Sequence, residues 1–190
     1  MKFAELVKKN RSTRAFDGSR EITREELIAL VDLAHNSPSA NNRQPLRYFL
    51  SCDKETNALI QGYTHWAGLL KDIKLPPENM EPAAFIVIYV DKNICPNVQA
   101  AGKDVGIAAQ TIMLGATEMG LSGCMIGAFD RPLNDALDMG EDYEISLLVA
   151  LGKPNEEIRI IESDGDTAYY REGDLKHVVP KLKLEKIILN

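Results

Sequence analysis

The stretch Ala83-Ala-Phe-Ile-Val-Ile-Tyr-Val90 decides the fold of this chain. It is a continuous run of apolar, β-branched and aromatic residues without a charge, which is typical of a strand buried on both faces. Such a strand needs a layer of structure on each side of its sheet. We therefore expect this segment to lie at the centre of a sheet that is covered by helices.

The segments around this strand supply the helices and the other strands. Apolar residues recur at helical spacing over residues 2–9, 23–36, about 55–70 and 104–119, and the last of these is apolar around most of its circumference. Further strands are predicted at 46–51 and 145–151. The sequence therefore predicts one α+β domain over residues 1–190, with a mixed central sheet and a long buried central helix. That helix could be buried within the monomer or against a second copy.

Composition and charge narrow the class of protein. The 190 residues are 45% hydrophobic, which is enough for a substantial core, and the net charge of -6 argues against a nucleic-acid binder. Both ends are nevertheless basic: residues 1–50 hold nine Lys/Arg against six Asp/Glu, and residues 176–190 hold four against one. This pattern fits either ordinary solvated surface or two ends that meet one phosphate.

The cysteines and the lack of a targeting pattern indicate the cellular compartment in which the protein is expected. Cys52, Cys95 and Cys124 have no zinc-ligand spacing, so we expect free thiols in a reducing compartment and no metal site. No charged-then-apolar leader and no long uninterrupted apolar segment is present. We expect a cytoplasmic protein that does not bind membranes.

Two polar segments near the start of the chain are candidates for ligand binding. Arg11-Ser-Thr-Arg-Ala-Phe16 places two guanidiniums and two hydroxyls after a helix, where they could hold a dianionic phosphate or form a solvated helix end. Ser37-Pro-Ser-Ala-Asn-Asn-Arg-Gln-Pro45 is dense in amides that can donate and accept hydrogen bonds at the edge of a flat ring. An Asx-rich turn explains its asparagines equally well, but not Gln44.

These segments resemble the flavin-contacting segments of the nitroreductase family, which are FMN-dependent NAD(P)H oxidoreductases. The string 38–45 is similar to the family's Pro-Ser-Ala-x-Asn-x-Gln-Pro, and residues 10–16 approximate its Arg-x-Ser-x-Arg-x-Phe. Asn10 stands where the family commonly has arginine, and Arg11 can substitute for that charge. The resemblance covers essentially the whole chain, including Tyr169-Tyr-Arg-Glu and His177-Val-Val-Pro-Lys181.

The resemblance implies a set of cofactor-binding residues and no catalytic acid or base. It places Arg11, Ser12 and Arg14 at the FMN phosphate, Pro38, Ser39, Asn42 and Gln44 at the flavin ring, the backbone of Ile126, Gly127 and Ala128 near flavin N5 and O4, and Lys181 and Lys183 at the phosphate. The three histidines, His35, His65 and His177, are dispersed and are expected at helix ends or on the surface.

The function implied by the resemblance is hydride transfer from a transiently bound NAD(P)H through flavin N5 to a small-molecule acceptor. The acceptor would be a nitroaromatic, a quinone or a similar compound, in a ping-pong cycle. The active form would be a homodimer with two FMN sites at its interface. Alternatives are a specialised flavin dehydrogenase or dehalogenase, an FMN-binding or storage protein without turnover, and a structural protein without a cofactor.

Overall fold

The computed structural model describes residues 1–190. Its helices are α1 (Phe3–Lys9), α2 (Arg24–His35), α3 (Lys54–Gly62), α4 (Gly102–Glu118) and α5 (Leu133–Ala136). Its strands are β1 (Phe16–Asp17), β2 (Leu46–Ser51), β3 (Ala84–Asp91), β4 (Ser122–Ile126), β5 (Tyr143–Pro154), β6 (Glu157–Ser163), β7 (Tyr170–Arg171) and β8 (Lys176–Leu182). Short 3-10 turns occur at Ala40–Asn42, Val98–Ala101 and Leu184–Lys186.

The central sheet is built around β3, as the sequence predicts. β3 lies between β2 and β5, and all eight of its residues are buried. Strand β5 also pairs with β4 and, at its end, with β1. The predicted α+β class is confirmed. The ladders of this sheet are antiparallel, and its parallel pairing is limited to a single bridge between Ser12 and Gly123.

Helices cover both faces of the central sheet. On one face, Ile86 of β3 belongs to a buried cluster with Leu30 of α2 and Ile112 of α4. On the other face, residues of α3 and α5 complete a second cluster that includes Ile60, Phe85, Val87, Leu133 and Leu148. Successive side chains of β3 point to opposite faces of the sheet, so they contribute alternately to two separate core clusters.

Helix α4 is the long central helix, and one of its faces packs closely on α2. A Cβ atom added at Gly115 would lie 2.4 Å from Leu33 Cδ1 and 3.0 Å from Leu30 Cδ2, so a larger residue here would require these two leucine side chains to move. The opposite face of α4 is exposed at Lys103, Gly106, Ile107 and Gln110. The helix is thus buried in part within the monomer, and a continuous strip of it faces outward.

A second, three-stranded sheet follows β5 and was not predicted. Its order is β6-β8-β7, with β6 and β8 parallel and β7 antiparallel to β8. Helix α3 also differs from expectation, because it ends at Gly62 rather than near residue 70. Thr64 instead forms a β-bridge with Phe129, which takes the chain out of the helix. None of the helices has both the length and the apolar character needed to cross a membrane.

Candidate functional site

The segment after α1 is fixed in place by its backbone and by one buried amide. Asn10 Nδ2 donates to the carbonyl oxygen of Met113 at 2.7 Å and to Thr117 Oγ1 at 2.9 Å, so the side chain ties the end of α1 to α4. The backbone N–H of Thr13 donates to the carbonyl of Gly123 at 2.8 Å. Asn10 is therefore an anchor, and the charge that this segment offers comes from Arg11 and Arg14.

A cavity of about 310 Å³ opens beside this segment. Arg11, Ser12 and Arg14 line it from one side, and Lys181 lines it from β8. Gln110, Met113 and Met125 are also among its lining residues, and none of the lining residues carries a carboxylate. The structure thus brings both basic ends of the chain to one cationic cavity, which fits an anionic ligand.

Arg14 is the most constrained cation in this cavity. It is 8% exposed, and its Nη1 donates to the carbonyl of Ser12 and to His177 Nε2, each at 3.2 Å. The ring of Tyr169 lies 5.1 Å from its Cζ, within the range of a cation–π contact. Its Nε is buried and has no hydrogen-bond partner. A buried guanidinium N–H without an acceptor is costly unless a ligand supplies one.

A buried ion pair between Glu156 and Arg171 holds the backbone of Arg14. Glu156 Oε1 accepts the backbone N–H of Arg14 at 2.5 Å, and its Oε2 pairs with the guanidinium of Arg171. The side chains of Glu156 and Arg171 are almost completely buried. Because Glu156 binds the backbone of Arg14 rather than its guanidinium, the charge of the Arg14 side chain stays available to the cavity.

His177 is buried, and the expectation of a helix-end or surface histidine is wrong for this residue. It lies in β8 and is 2% exposed. Burial, and then the charges of Arg14 and Arg171, lower its pKa to about 4. It is therefore neutral at pH 7. Sequence reasoning missed His177 and Tyr169 as site residues; the apolar residues that follow His177 were the available signal that it faces the interior.

The two C-terminal lysines that were predicted to bind the phosphate, Lys181 and Lys183, have different surroundings, and only Lys181 lines the cationic cavity. His177, Val179 and Lys181 alternate along β8 and line the same cavity. Lys183 lies beyond the end of β8, and its Nζ pairs with Asp164 at 2.9 Å. The structure does not bring Lys183 to the cationic cavity, because the chain leaves the strand before that position.

The amide loop at residues 38–45 has an unusual backbone. Asn41 and Asn42 have φ values of 53°, and Gln44 has a φ of 50°. The N–H of Gln44 donates to Ser39 Oγ at 3.1 Å, and its Nε2 donates to Asn42 Oδ1 at 3.2 Å. Both amide side chains are exposed. Three left-handed residues without glycine store strain, which is characteristic of ligand-binding segments.

Helix α4 holds both of the predicted ligand-binding segments. Asp104 Oδ1 accepts the backbone N–H of Ala40 at 3.0 Å, and Thr111 Oγ1 lies 3.0 Å from Ser37 Oγ. These contacts place the amide loop at the first turn of α4 and the residue before it near the middle of the helix, whereas Asn10 binds the second half. The loop residues Pro38, Ser39 and Gln44 line a separate cavity of about 130 Å³, which shares no lining residue with the cationic cavity.

Residues 126–128 lie at the end of β4 and line neither of these cavities. Ile126 is buried, whereas Gly127 and Ala128 are exposed, and the carbonyl of Ala128 accepts the N–H of His65 at 2.9 Å. A Cβ added at Gly127 would meet only Leu147 Cδ1, at 3.9 Å. Packing within the chain therefore does not require glycine at position 127, and the space beside it is open.

Comparisons with known proteins agree on one family. The model of the nitroreductase family matches residues 7–153. An oxygen-insensitive NADPH nitroreductase of Helicobacter pylori (strain ATCC 700392 / 26695) is 24% identical over 185 residues, covering 78% of this chain and 86% of the relative. A putative NAD(P)H nitroreductase of Bacillus subtilis (strain 168) is 24% identical over 177 residues, covering 78% and 88% of the two chains.

Solved structures share the fold. A nitroreductase family protein of Streptococcus pneumoniae TIGR4 aligns over 100% of both chains with a TM-score of 0.74 and 17% identity. An FMN-dependent nitroreductase of Clostridium difficile R20291 aligns with a TM-score of 0.65 and 23% identity, covering 82% of this chain and 89% of its own. The α+β architecture with its long central helix is thus the architecture of these proteins.

Proposed function

Because the chain belongs to the nitroreductase family and is an NAD(P)H-dependent oxidoreductase, we propose that it uses FMN to reduce a small acceptor such as a nitroaromatic or a quinone. Relatives named as NAD(P)H nitroreductases support the electron donor, and the FMN-dependent structural neighbour supports the cofactor. The acceptor follows from the family resemblance and is the part of the proposal that needs an assay.

The observation that carries the proposal is the cationic cavity. Arg11, Arg14 and Lys181 line it without a carboxylate, and the Nε of Arg14 is buried without an acceptor. A phosphate dianion supplies several acceptor oxygens and the opposite charge, so it would satisfy this donor set. The residues present therefore fit the phosphate end of FMN.

The amide loop fits the ring end of the cofactor. Asn42 and Gln44 are exposed, and their mutual hydrogen bond uses Gln44 Nε2 and Asn42 Oδ1, so Gln44 Oε1 remains free to accept and Asn42 Nδ2 remains free to donate. Pro38 and Ser39 belong to the same loop and line the small cavity with Gln44. The backbone of residues 126–128 would complete the ring site, where the open space beside Gly127 admits a flat group.

We infer that the active form is a homodimer with FMN at the interface. The two predicted halves of the site line separate cavities of one chain, so one chain does not enclose a whole cofactor. The exposed strip of α4 lies on the helix that holds both halves, and it includes Ile107, which is 41% exposed. Packing this strip against a second copy would let the amide loop of one subunit serve the phosphate site of the other.

FMN, when bound, would supply the redox chemistry by accepting hydride at N5 from NAD(P)H and passing it to the acceptor. The protein residues would bind the phosphate, orient the ring and exclude water from one side. No side chain in either cavity is required as a proton donor by this scheme. Three free cysteines agree with a proposed cytoplasmic location.

The visible absorption spectrum of the purified protein tests this function. Flavin bands that bleach on anaerobic addition of NADH or NADPH, and return on addition of a quinone, are expected. Flavin that binds but does not bleach with either nucleotide would instead identify a storage protein. A colourless protein that does not take up FMN would overturn the proposal.

A further inference from the structure

The hydrogen bonds of Arg14 use one end of its guanidinium and leave one edge free. Nη1 makes both protein contacts, to the carbonyl of Ser12 and to His177 Nε2. Nε is buried without a partner. The side-chain hydrogen bonds of Arg14 to the protein both come from Nη1, so Nη2 is free of them. The free Nε and Nη2 donors lie side by side, and such an edge can bind two oxygens of one phosphate at once.

We propose that His177 is a positioning residue, which holds Nη1 of Arg14 so that the Nε and Nη2 edge faces a phosphate in the cationic cavity. This proposal rests on the proposed function, because that phosphate is taken to be part of FMN. His177 acts through Arg14, and Ser12 contributes a second acceptor to the same nitrogen. The ring of Tyr169 lies 5.2 Å from the His177 ring and 5.1 Å from Cζ of Arg14, so it packs beside both partners of this contact.

The hydrogen bond between Arg14 and His177 determines the protonation state of the His177 ring. An arginine has only donors, so His177 Nε2 must be the acceptor and its proton must reside on Nδ1. Only a neutral imidazole can do this. The groups around His177 favour the neutral imidazole, because burial and the nearby charges of Arg14 and Arg171 all oppose protonation. The tautomer follows from the contact of Nε2 with Arg14 alone, since Nδ1 is buried without a hydrogen-bond partner in the protein. Glu156 does not offset them fully, since its carboxylate is already bound to Arg171 and to the backbone of Arg14.

A purely structural role for His177 makes a different prediction from a positioning role. If the residue only fills space, any side chain of similar size will preserve FMN binding. If it accepts the hydrogen bond, what matters is an acceptor atom at the place of Nε2. Glutamine can supply such an atom with its Oε1, whereas phenylalanine keeps the ring but has no acceptor.

The test compares His177→Phe with His177→Gln in binding to FMN and to riboflavin, which lacks the phosphate. We expect His177→Phe to weaken FMN binding about tenfold, because one hydrogen bond to a charged group is lost, and to leave riboflavin binding unchanged. We expect His177→Gln to retain most of the FMN affinity. Lys176→Gln, at an exposed neighbouring position of β8, is the control for disturbance of the strand.

The outcomes separate this inference from the proposed function. Wild-type-like FMN binding by His177→Phe, or equal losses in both variants, would overturn the positioning role. Failure of the wild-type protein to bind any flavin would overturn the proposed function, and stabilisation against heat by inorganic phosphate would then decide the role of His177. That stabilisation should occur in the wild type and in His177→Gln and be reduced in His177→Phe; its absence from the wild type would overturn the inference. If His177→Phe lacks the wild-type circular dichroism spectrum, His177→Leu replaces it.

Discussion

Asp104 Oδ1 lies 3.0 Å from the backbone nitrogen of Ala40, which joins the first turn of α4 to the amide loop. Asp104 is buried, so this carboxylate is committed to the loop rather than to solvent. The loop that it holds contains three residues in the left-handed region. Strain of this kind persists only where surrounding contacts impose it, and Asp104 supplies one of those contacts.

Replacing Asp104 should therefore loosen the amide loop. We expect Asp104→Ala to lower the free energy of unfolding by about 1–3 kcal/mol, because the N–H of Ala40 loses its acceptor. FMN binding should weaken as well, since Asn42 and Gln44 would no longer be held. Urea unfolding and FMN titration measure both effects. Glu118→Ala, at the exposed far end of α4, is the control, and an equal loss in that variant would contradict the prediction.

Arg14 should account for much of the phosphate affinity. Arg14→Ala removes the unpartnered Nε and Nη2 donors, so we expect FMN binding to weaken by about 1.5–3 kcal/mol. Riboflavin binding should not change, because riboflavin has no phosphate to meet the guanidinium. Fluorescence titration of the two flavins gives the comparison. Equal losses for FMN and riboflavin would mean that Arg14 supports the fold rather than the phosphate.

Lys181, in β8, and Lys183, just beyond the end of β8, offer a matched pair of substitutions with the same change of charge. Lys181→Gln removes a cation from the cavity and should weaken FMN binding by about 0.5–1 kcal/mol, with a smaller effect at high salt. Lys183→Gln breaks only the exposed pair with Asp164 and should leave FMN binding unchanged. Titrations at two salt concentrations test this difference. A larger loss of FMN affinity in Lys183→Gln than in Lys181→Gln would show that Lys183, and not Lys181, contacts the phosphate.

His177 should make stability depend on pH in a defined direction. Its pKa is about 4 in the folded protein and near 6.5 in the unfolded chain, so between these values the unfolded state binds more protons. Stability should therefore fall as the pH decreases from 6.5 to 4 and change no further below 4 through this group.

The size of this effect is up to about 3 kcal/mol, and His177→Gln should remove it. The measurement is the difference between the unfolding free energies of wild type and His177→Gln, taken from pH 7.5 to pH 4. Carboxylates such as Asp17 and Glu26, whose pKa values are lowered by their hydrogen-bonding partners, are common to both proteins and cancel in the difference. A difference that stays constant across this range would show that His177 does not titrate in this way.

Local patterns predicted the elements that depend on local physics. The apolar run at β3 is the centre of the sheet, and the helical spacing over residues 23–36 corresponds to α2, which the structure shows to begin at a capping box of Thr23 and Glu26. Helix α3 was predicted too long, because the bridge between Thr64 and Phe129 outweighs the helical pattern after Gly62. Tertiary pairing of this kind leaves no sign in a short window of sequence.

The positive charge of the candidate site could be predicted from the sequence, whereas the contacts that position its side chains could not. Arg11, Arg14 and Lys181 do share a cavity, as expected from the two basic ends of the chain. The sequence did not reveal the contact between Arg14 and His177, which are 163 positions apart. That contact depends on the pairing of β8 with β6 and β7, a long-range arrangement that no local pattern encodes. The position of Lys183 outside the cavity was unpredictable for the same reason. The pairing of β8 with β6 ends at Leu182, so Lys183 lies beyond the strand that carries Lys181.

The exposed strip of α4 provides the test of the proposed dimer. A charge at Ile107 would have to be buried unpaired if this strip packs against a second copy, so Ile107→Glu should give a monomer. The monomer should also lose FMN affinity, because the amide loop would no longer meet the phosphate site of the other subunit. Light scattering gives the mass, and FMN titration gives the affinity.

Ile28→Glu is the matched control for this change. Ile28 is on α2 and is 51% exposed, so it presents an isoleucine to solvent on a different helix. We expect this variant to keep the wild-type mass and FMN affinity. A dimeric Ile107→Glu that still binds FMN would place the interface elsewhere. A wild-type protein that binds FMN as a monomer would mean instead that one chain closes its two cavities into a single site.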